Sequence, residues 1–167
     1  MKVLYFVLVL ILCVLLLLKK QVSYVPEINR SDYDCYVINL KKNTERLDHI
    51  TKEYSNSDLR SEPFTRVEAV DGKEIIRAHV TNRVWKGIQE IDADGKRVDH
   101  EQLTRGMIGC YLSHLKVYDN IQQSSNPYAL VLEDDATFPN NLHESVIKSI
   151  QSQVPDNWDI ILLGRWA

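Results

Sequence analysis

Three short runs in this chain, CYVINL (Cys35–Leu40), YALVL (Tyr128–Leu132) and WDIILLG (Trp158–Gly164), are apolar at almost every position. A strand with one wet face alternates apolar and polar residues, so a run without alternation has to be covered on both sides. Between these runs lie segments with helical spacing. NTERLDHITKEY brings Leu47, Ile50 and Tyr54 to one side, with Asn43 or Thr44 as its N-cap. LTRGMIGCYLSHLKVYDNIQQ brings Ile108, Tyr111, Leu112, Leu115 and Tyr118 to one face. FTRVEAV (Phe64–Val70) reads as a further strand closed by the Asp71-Gly72 turn, and NLHESVIKSIQ as a helix with Leu142, Val146, Ile147 and Ile150 inward. Buried strands alternating with helices predict an α/β layered fold on a mainly parallel central sheet. The charged segment from Lys73 to Gln102 is less regular, and Asp94-Gly95 within it predicts a hairpin between IQEID and KRVD.

The N-terminus obeys a different solvent. Residues 3–18, VLYFVLVLILCVLLLL, run without a charge or a proline. As a helix they span roughly 24 Å, a little less than a ~30 Å hydrocarbon core. Lys2, Lys19 and Lys20 flank the run and can snorkel to the two interfaces. An uncleaved single-pass anchor over residues 1–20, followed by a stem over 21–32 and a domain over 33–167, is the expected organisation. A cleaved signal peptide is the competing reading, and the absence of a small-x-small site in KKQVSYVPE argues against it. A buried soluble helix is the third. Lys2 favours a cytoplasmic N-terminus and a luminal or extracytoplasmic domain, whereas Lys19 and Lys20 oppose that orientation. Asn29-Arg30-Ser31 is a glycosylation sequon just past the run.

A net charge of -3, with Lys and Arg scattered rather than striped, points away from nucleic acid as a partner. Cys13, Cys35 and Cys110 fit no zinc spacing; they read as buried apolar thiols, and pairing of Cys35 with Cys110 is left open.

The apolar strand YALVL ends in three consecutive carboxylates, Glu133, Asp134 and Asp135. Ligand sites of open α/β sheets lie at the carboxyl ends of strands. Alternation along an extended chain sends Glu133 and Asp135 to one side and Asp134 to the other. Two converging carboxylates repel unless a proton or cation is shared, and a hard divalent ion suits their oxygens. The alternative is a solvated turn whose acids cap the helix starting near Asn141 or pair with lysine.

Five stretches extend the pattern in order: YVINLKKNTERLDHI, FTRVEAVDGK, LTRGMIGCYLSHLKVYDNI, ALVLEDDATF and WDIILLG. Together they resemble glycosyltransferase family 25, the lipopolysaccharide and collagen galactosyltransferase-like family, over roughly Tyr36 to Gly164. The resemblance implies a GT-A-like fold for nucleotide-diphosphate sugars, inversion at the anomeric carbon and a divalent metal, Mn2+ or Mg2+. It implies Glu133 and Asp135 as metal ligands and Asp134 as a donor contact. It further implies a donor pocket lined by Asn39 and Arg46, by Ala69, Val70, Asp71 and Gly72, and by Gly106, Gly109, Ser113 and His114.

Each of these residues also has a plainer reading. Asn39 and Asp71 suit turns, Gly72 a turn glycine, Arg46 an exposed helix position, and Ser113 with His114 a packed helix. Gly106 and Gly109 let a helix start pass close to a backbone or a phosphate. Met107 stands where family members more often carry an acid. The family continues well past ILLG, so the chain is expected to be C-terminally incomplete, and no residue in it is named as the catalytic base. The expected function is a membrane-anchored transferase moving galactose or glucose from a UDP-hexose to a glycan, lipid or protein hydroxyl. The alternatives are a truncated, non-catalytic nucleotide-sugar-binding module and a phosphohydrolase using the acidic cluster.

Overall fold

The computed structural model describes residues 33–57, 59, 63–138, 149–150, 153–155 and 157–164. The chain divides into two compact units, Ile28–Glu144 and a second made of Met1–Glu27 with Ser145–Ala167. The expected anchor and stem lie outside the described residues, as does nearly all of the expected helix NLHESVIKSIQ. No helix among the described residues is long and apolar enough to cross a membrane.

The Ile28–Glu144 unit opens with strand β1 (Tyr33–Asn39), helix α1 (Thr44–Asn56) and strand β2 (Thr65–Glu68). Single 3-10 turns at Gly72–Glu74 and Arg77–His79 lead into α2 (Asn82–Asp94), α3 (Arg105–Gln123) and strand β3 (Tyr128–Glu133). The three strands form a parallel sheet in the order β2-β1-β3, with Tyr36 opposite both Thr65 and Val131. The small parallel sheet in an α/β frame agrees with the expectation from the apolar runs.

Why β1 lacks alternation is now visible: it is central, and Cys35 through Asn39 are all buried. Its even positions, Tyr36 and Ile38, pack with Val67 of β2 and Val117 of α3, joined by Ile121, Ala129 and Val131. On its odd side the Cys35 thiol hydrogen-bonds with Tyr54 of α1, and burial pushes that thiol up to about 12. Tyr54 in turn meets Phe64 edge-on at 5.3 Å. Sheet order and chain order therefore agree with right-handed crossovers that leave α1 and α3 on opposite faces. The chain steps from β1 to β2 on one side, then returns across β1 to β3. Such a reversal opens a crevice at the carboxyl ends of β1 and β3.

A smaller cluster of Ile75, Ile88 and Ile108, with Val70, Val84, Trp85 and Leu112 against it, joins α2 to α3. Arg105 locks the joint. It donates to both oxygens of Asp92, to the Ile75 carbonyl at 2.6 Å, and lies 5.4 Å from the Trp85 ring centre.

Three expectations are corrected. Asp94-Gly95 does not turn a hairpin; it ends α2, because the left-handed backbone of Gly95 (φ 69°) closes a helix as readily as it makes a tight turn. WDIILLG forms no strand among the described residues, and Ile160, Leu162 and Leu163 are exposed. An apolar run becomes a strand only where a neighbour supplies the ladder. The inward face of α3 is also different: Ile108, Gly109, Ser113 and Val117 are buried, whereas Tyr111, Leu115 and Tyr118 are exposed.

Close backbone approach explains that last difference. A Cβ on Gly109 would lie 2.7 Å from the Val70 carbonyl oxygen, and one on Gly72 would lie 2.5 Å from the Arg105 carbonyl oxygen. The loop after β2 and the start of α3 thus touch main chain to main chain, and only residues without a side chain fit. Gly109→Ala is accordingly expected to destabilise the fold by about 1–3 kcal/mol, the usual cost of overpacking. Gly106→Ala, whose Cβ would meet nothing closer than the Thr104 hydroxyl at 3.8 Å, is expected to leave stability unchanged or slightly raised. Urea unfolding of the two variants side by side checks this, and equal midpoints would contradict it.

Candidate functional site

The crevice at the carboxyl end of the sheet is organised by Asn39, the last residue of β1, only 1% exposed. Its side-chain amide donates to the Asn43 carbonyl at 3.0 Å and to Asp134 Oδ2 at 2.7 Å. Its side-chain oxygen accepts from Arg66 Nε at 3.0 Å. An asparagine amide has two N–H donors, and both are engaged here. Asn39 therefore positions neighbours instead of offering a donor to a ligand. Its main-chain carbonyl also accepts from Ala69 N at 3.0 Å, which ties the segment after β2 to the same point.

Asp134 is buried, and both of its oxygens have partners: Oδ2 accepts from Asn39 and Oδ1 from Arg46 at 3.2 Å. Arg46 stands on the first turn of α1, half-exposed, and the same nitrogen reaches Asp135 Oδ2 at 3.4 Å. Its remaining N–H groups have no partner among the described residues. Two further residues of α1 grip the segment after β3. His49 Nε2 lies 3.2 Å from the Ala136 carbonyl oxygen, and Glu53 accepts from Phe138 N at 3.0 Å.

Alternation was expected to turn Glu133 and Asp135 to a common side. The strand ends at Glu133, and residues 134–135 form a turn, so the two-residue period stops there. It is Asp134 and Asp135 that share a partner, Arg46. Glu133 instead lies 3.4 Å from His114 Nε2 on α3. Cys110 stands one helical turn before His114, and the three side chains gather their ligand atoms within 4.8 Å of one another. The Cys110 thiol is raised above its usual value by partial burial first and by the Glu133 charge second. Cys35 and Cys110 are both free thiols, so the bridge left open by the sequence is not formed.

The other expected residues form a second group. Val70 N donates to Ser113 Oγ at 2.8 Å, and that hydroxyl donates to the Gly109 carbonyl at 2.6 Å. Val70 and Gly72 are thus held against Gly109 and Ser113, Ala69 packs on the Tyr36–Val117 cluster, and Gly106 faces outward. Asp71 caps the following turn through Lys73 N and pairs with Lys42; the Lys42 hydrogen bond, then the Lys73 N–H, lowers its carboxyl below the ordinary range. Lys42, His49, Glu53 and Arg66 escaped the sequence reading. Arg46, His49 and Glu53 do recur at helical spacing, a signal present in NTERLDHITKEY but unreadable without knowing what α1 faces.

Chemically, the crevice offers, among the described residues, the exposed carboxylate of Asp135, the Arg46 guanidinium with donors left unengaged and a Lys42–Asp71 pair. A ligand carrying phosphates and hydroxyls matches that set.

The family profile described as glycosyltransferase family 25 (LPS biosynthesis protein) matches residues 33–167. Procollagen galactosyltransferase 2 of Mus musculus is 28% identical over 148 residues, covering 86% of this chain and 23% of that protein. A glycosyltransferase 25 family member of Anopheles gambiae is 30% identical over 149 residues, covering 89% of this chain and 24% of that protein. The corresponding protein of Drosophila melanogaster is 28% identical over 149 residues. The chain thus spans about a quarter of the length of these relatives.

Removing the Asn39 amide tests the arrangement directly. Asn39→Ala leaves Oδ2 of the buried Asp134 short of a partner, while the exposed Arg66 guanidinium can turn to water. A loss of about 1–3 kcal/mol is expected, the cost of one buried group left unsatisfied. Chemical denaturation measures it, and a variant as stable as the parent would contradict the central role of Asn39.

Proposed function

The chain belongs to glycosyltransferase family 25, and on that premise we propose that its domain binds a UDP-hexose and transfers galactose or glucose to a hydroxyl of a glycan, lipid or protein. The observation that carries this reading is the convergence of Arg46, Asp134 and Asp135 at the reversal point between β1 and β3. The sheet order agrees with the GT-A-like frame we assign to it. The names of the relatives, procollagen galactosyltransferases, favour galactose and a protein acceptor among the options.

Family membership implies a divalent cation, Mn2+ or Mg2+, and Asp135 fits one: its side chain is 36% exposed and, among the described residues, makes a single long contact, to Arg46. Asp134 fits less well, since Asn39 and Arg46 occupy both of its oxygens. Glu133 is turned toward His114, so we assign the hard-cation role to Asp135. Bound there, the ion would neutralise charge developing on the departing diphosphate. The protein's own part is positional. Asn39 fixes Asp134; Asp134 fixes the Arg46 guanidinium at one nitrogen; the free N–H groups of Arg46 are left for phosphate oxygens. Inversion at the anomeric carbon is part of the same proposal.

With Mn2+ and radiolabelled UDP-galactose or UDP-glucose, the protein is expected to transfer or slowly hydrolyse the sugar, and chelation should abolish turnover. Asp135→Asn is expected to lower turnover at least about 100-fold, the scale of losing one electrostatic stabiliser of a transition state. UDP binding without turnover would favour a nucleotide-sugar-binding module. Indifference to every nucleotide sugar and to UDP would overturn both readings.

We further propose that residues 3–18 anchor the protein as a single span, in the type II orientation with the domain luminal or extracytoplasmic. Sixteen uncharged apolar residues between lysines support this. Alkaline carbonate washing is expected to leave the chain with the membranes, and release into the supernatant would contradict it.

A further inference from the structure

Outside the Asp134–Arg46 crevice, a second cluster gathers three groups of different chemistry: a thiol, an imidazole and a carboxylate. Cys110 and His114 are four residues apart on α3, hence on one face of the helix. Glu133 is the last residue of β3. All three stand on regular elements rather than on loops. The ligand atoms lie within 4.8 Å of one another, and His114 Nε2 is already 3.4 Å from Glu133 Oε1. A tetrahedral zinc-type ion, with bonds of about 2.0–2.3 Å, sets its ligands roughly 3.4–3.7 Å apart. Rotamer adjustment of about 1 Å therefore closes the set without moving the backbone.

We propose that Cys110, His114 and Glu133 form a three-ligand site for a borderline-soft divalent ion of the zinc class, separate from the hard-cation role of Asp135. The donor set decides the class. Thiolate and imidazole select zinc-like ions, whereas magnesium and manganese prefer oxygen. The set also explains why Glu133 turns away from its two acidic neighbours. Its partner is on α3, and theirs are Asn39 at the end of β1 and Arg46 on α1. Three protein ligands leave a fourth position for water or a substrate group.

One neighbour bears on the site. Tyr118 packs near the His114 ring, at 6.3 Å between centroids, and limits its rotation. The exposed side chains of Cys110 and Glu133 keep the site open to solvent. No other group of three histidine, cysteine or acidic side chains gathers this tightly among the described residues.

The proposal does not depend on the transferase reading, and the experiment needs no turnover. Full-length protein stripped by chelator and titrated with Co2+ under reducing conditions is expected to bind one equivalent. The spectrum should show tetrahedral d–d intensity and a thiolate-to-cobalt charge-transfer band. Cys110→Ser should remove that band and weaken binding at least ~10-fold, since losing even an outer-shell partner costs that much. His114→Gln should weaken binding on the same scale, and Asp135→Asn should leave spectrum and affinity unchanged. Circular dichroism confirms that the variants keep their fold, which the exposed position of Cys110 favours. An octahedral spectrum without charge transfer, retention of the band in Cys110→Ser, or its loss in Asp135→Asn would each overturn the proposal. Failure of sugar transfer with the cobalt spectrum intact would count against the transferase alone.

Discussion

One buried amide connects most of this site. The Asn39 side chain is shared between β1, the entry to α1, Arg66 of β2 and Asp134 after β3. In a low-dielectric interior, an isolated carboxylate is expensive to bury. Asn39 gives the buried Asp134 a donor at the rim of the sheet and holds the exposed Arg66 guanidinium on its other side, so the two charges do not meet directly. A neutral group with donors and an acceptor on one rigid plane can satisfy a cation on one side and an anion on the other. No charged residue has that capacity.

The second constraint is steric. Gly72 and Gly109 bring the loop after β2 into main-chain contact with the first turns of α3. Ser113 completes the joint by accepting from Val70 and donating back to the helix. Seating small residues inward rolls α3 so that Met107, Tyr111 and Tyr118 face out. The same roll brings His114 to Glu133 at the end of β3. Packing on one face of the helix thus decides which chemistry the adjacent face presents.

Much of the fold was legible because the apolar runs carry their own explanation. CYVINL and YALVL are unbroken since β1 is central and β3 lies beside it, and the parallel order followed from the intervening helices. The face of α3 was not legible, because hydrophobic periodicity counts large side chains and the contact here is made by glycine and serine. WDIILLG failed for another reason: strand character belongs to a pair of segments, and a single sequence shows only one of them. At the site, proximity of the acidic run to the strand end was readable, and the division of labour within it was not. Glu133, Asp134 and Asp135 are adjacent in the chain yet face three different partner sets, a distribution settled by where β3 stops and what α1 and α3 present. Ser113 and Gly109, expected as donor contacts, also support the loop that borders the crevice.

The contacts made by α1 have a mechanical side. Arg46, His49 and Glu53 lie along one stripe of the helix and meet residues 134, 135, 136 and 138 in turn. They behave as the teeth of a rack engaged with a single strip of chain. The strip beyond β3 is therefore seated at successive points by one helix, and its course is set by α1 instead of by a ladder of its own.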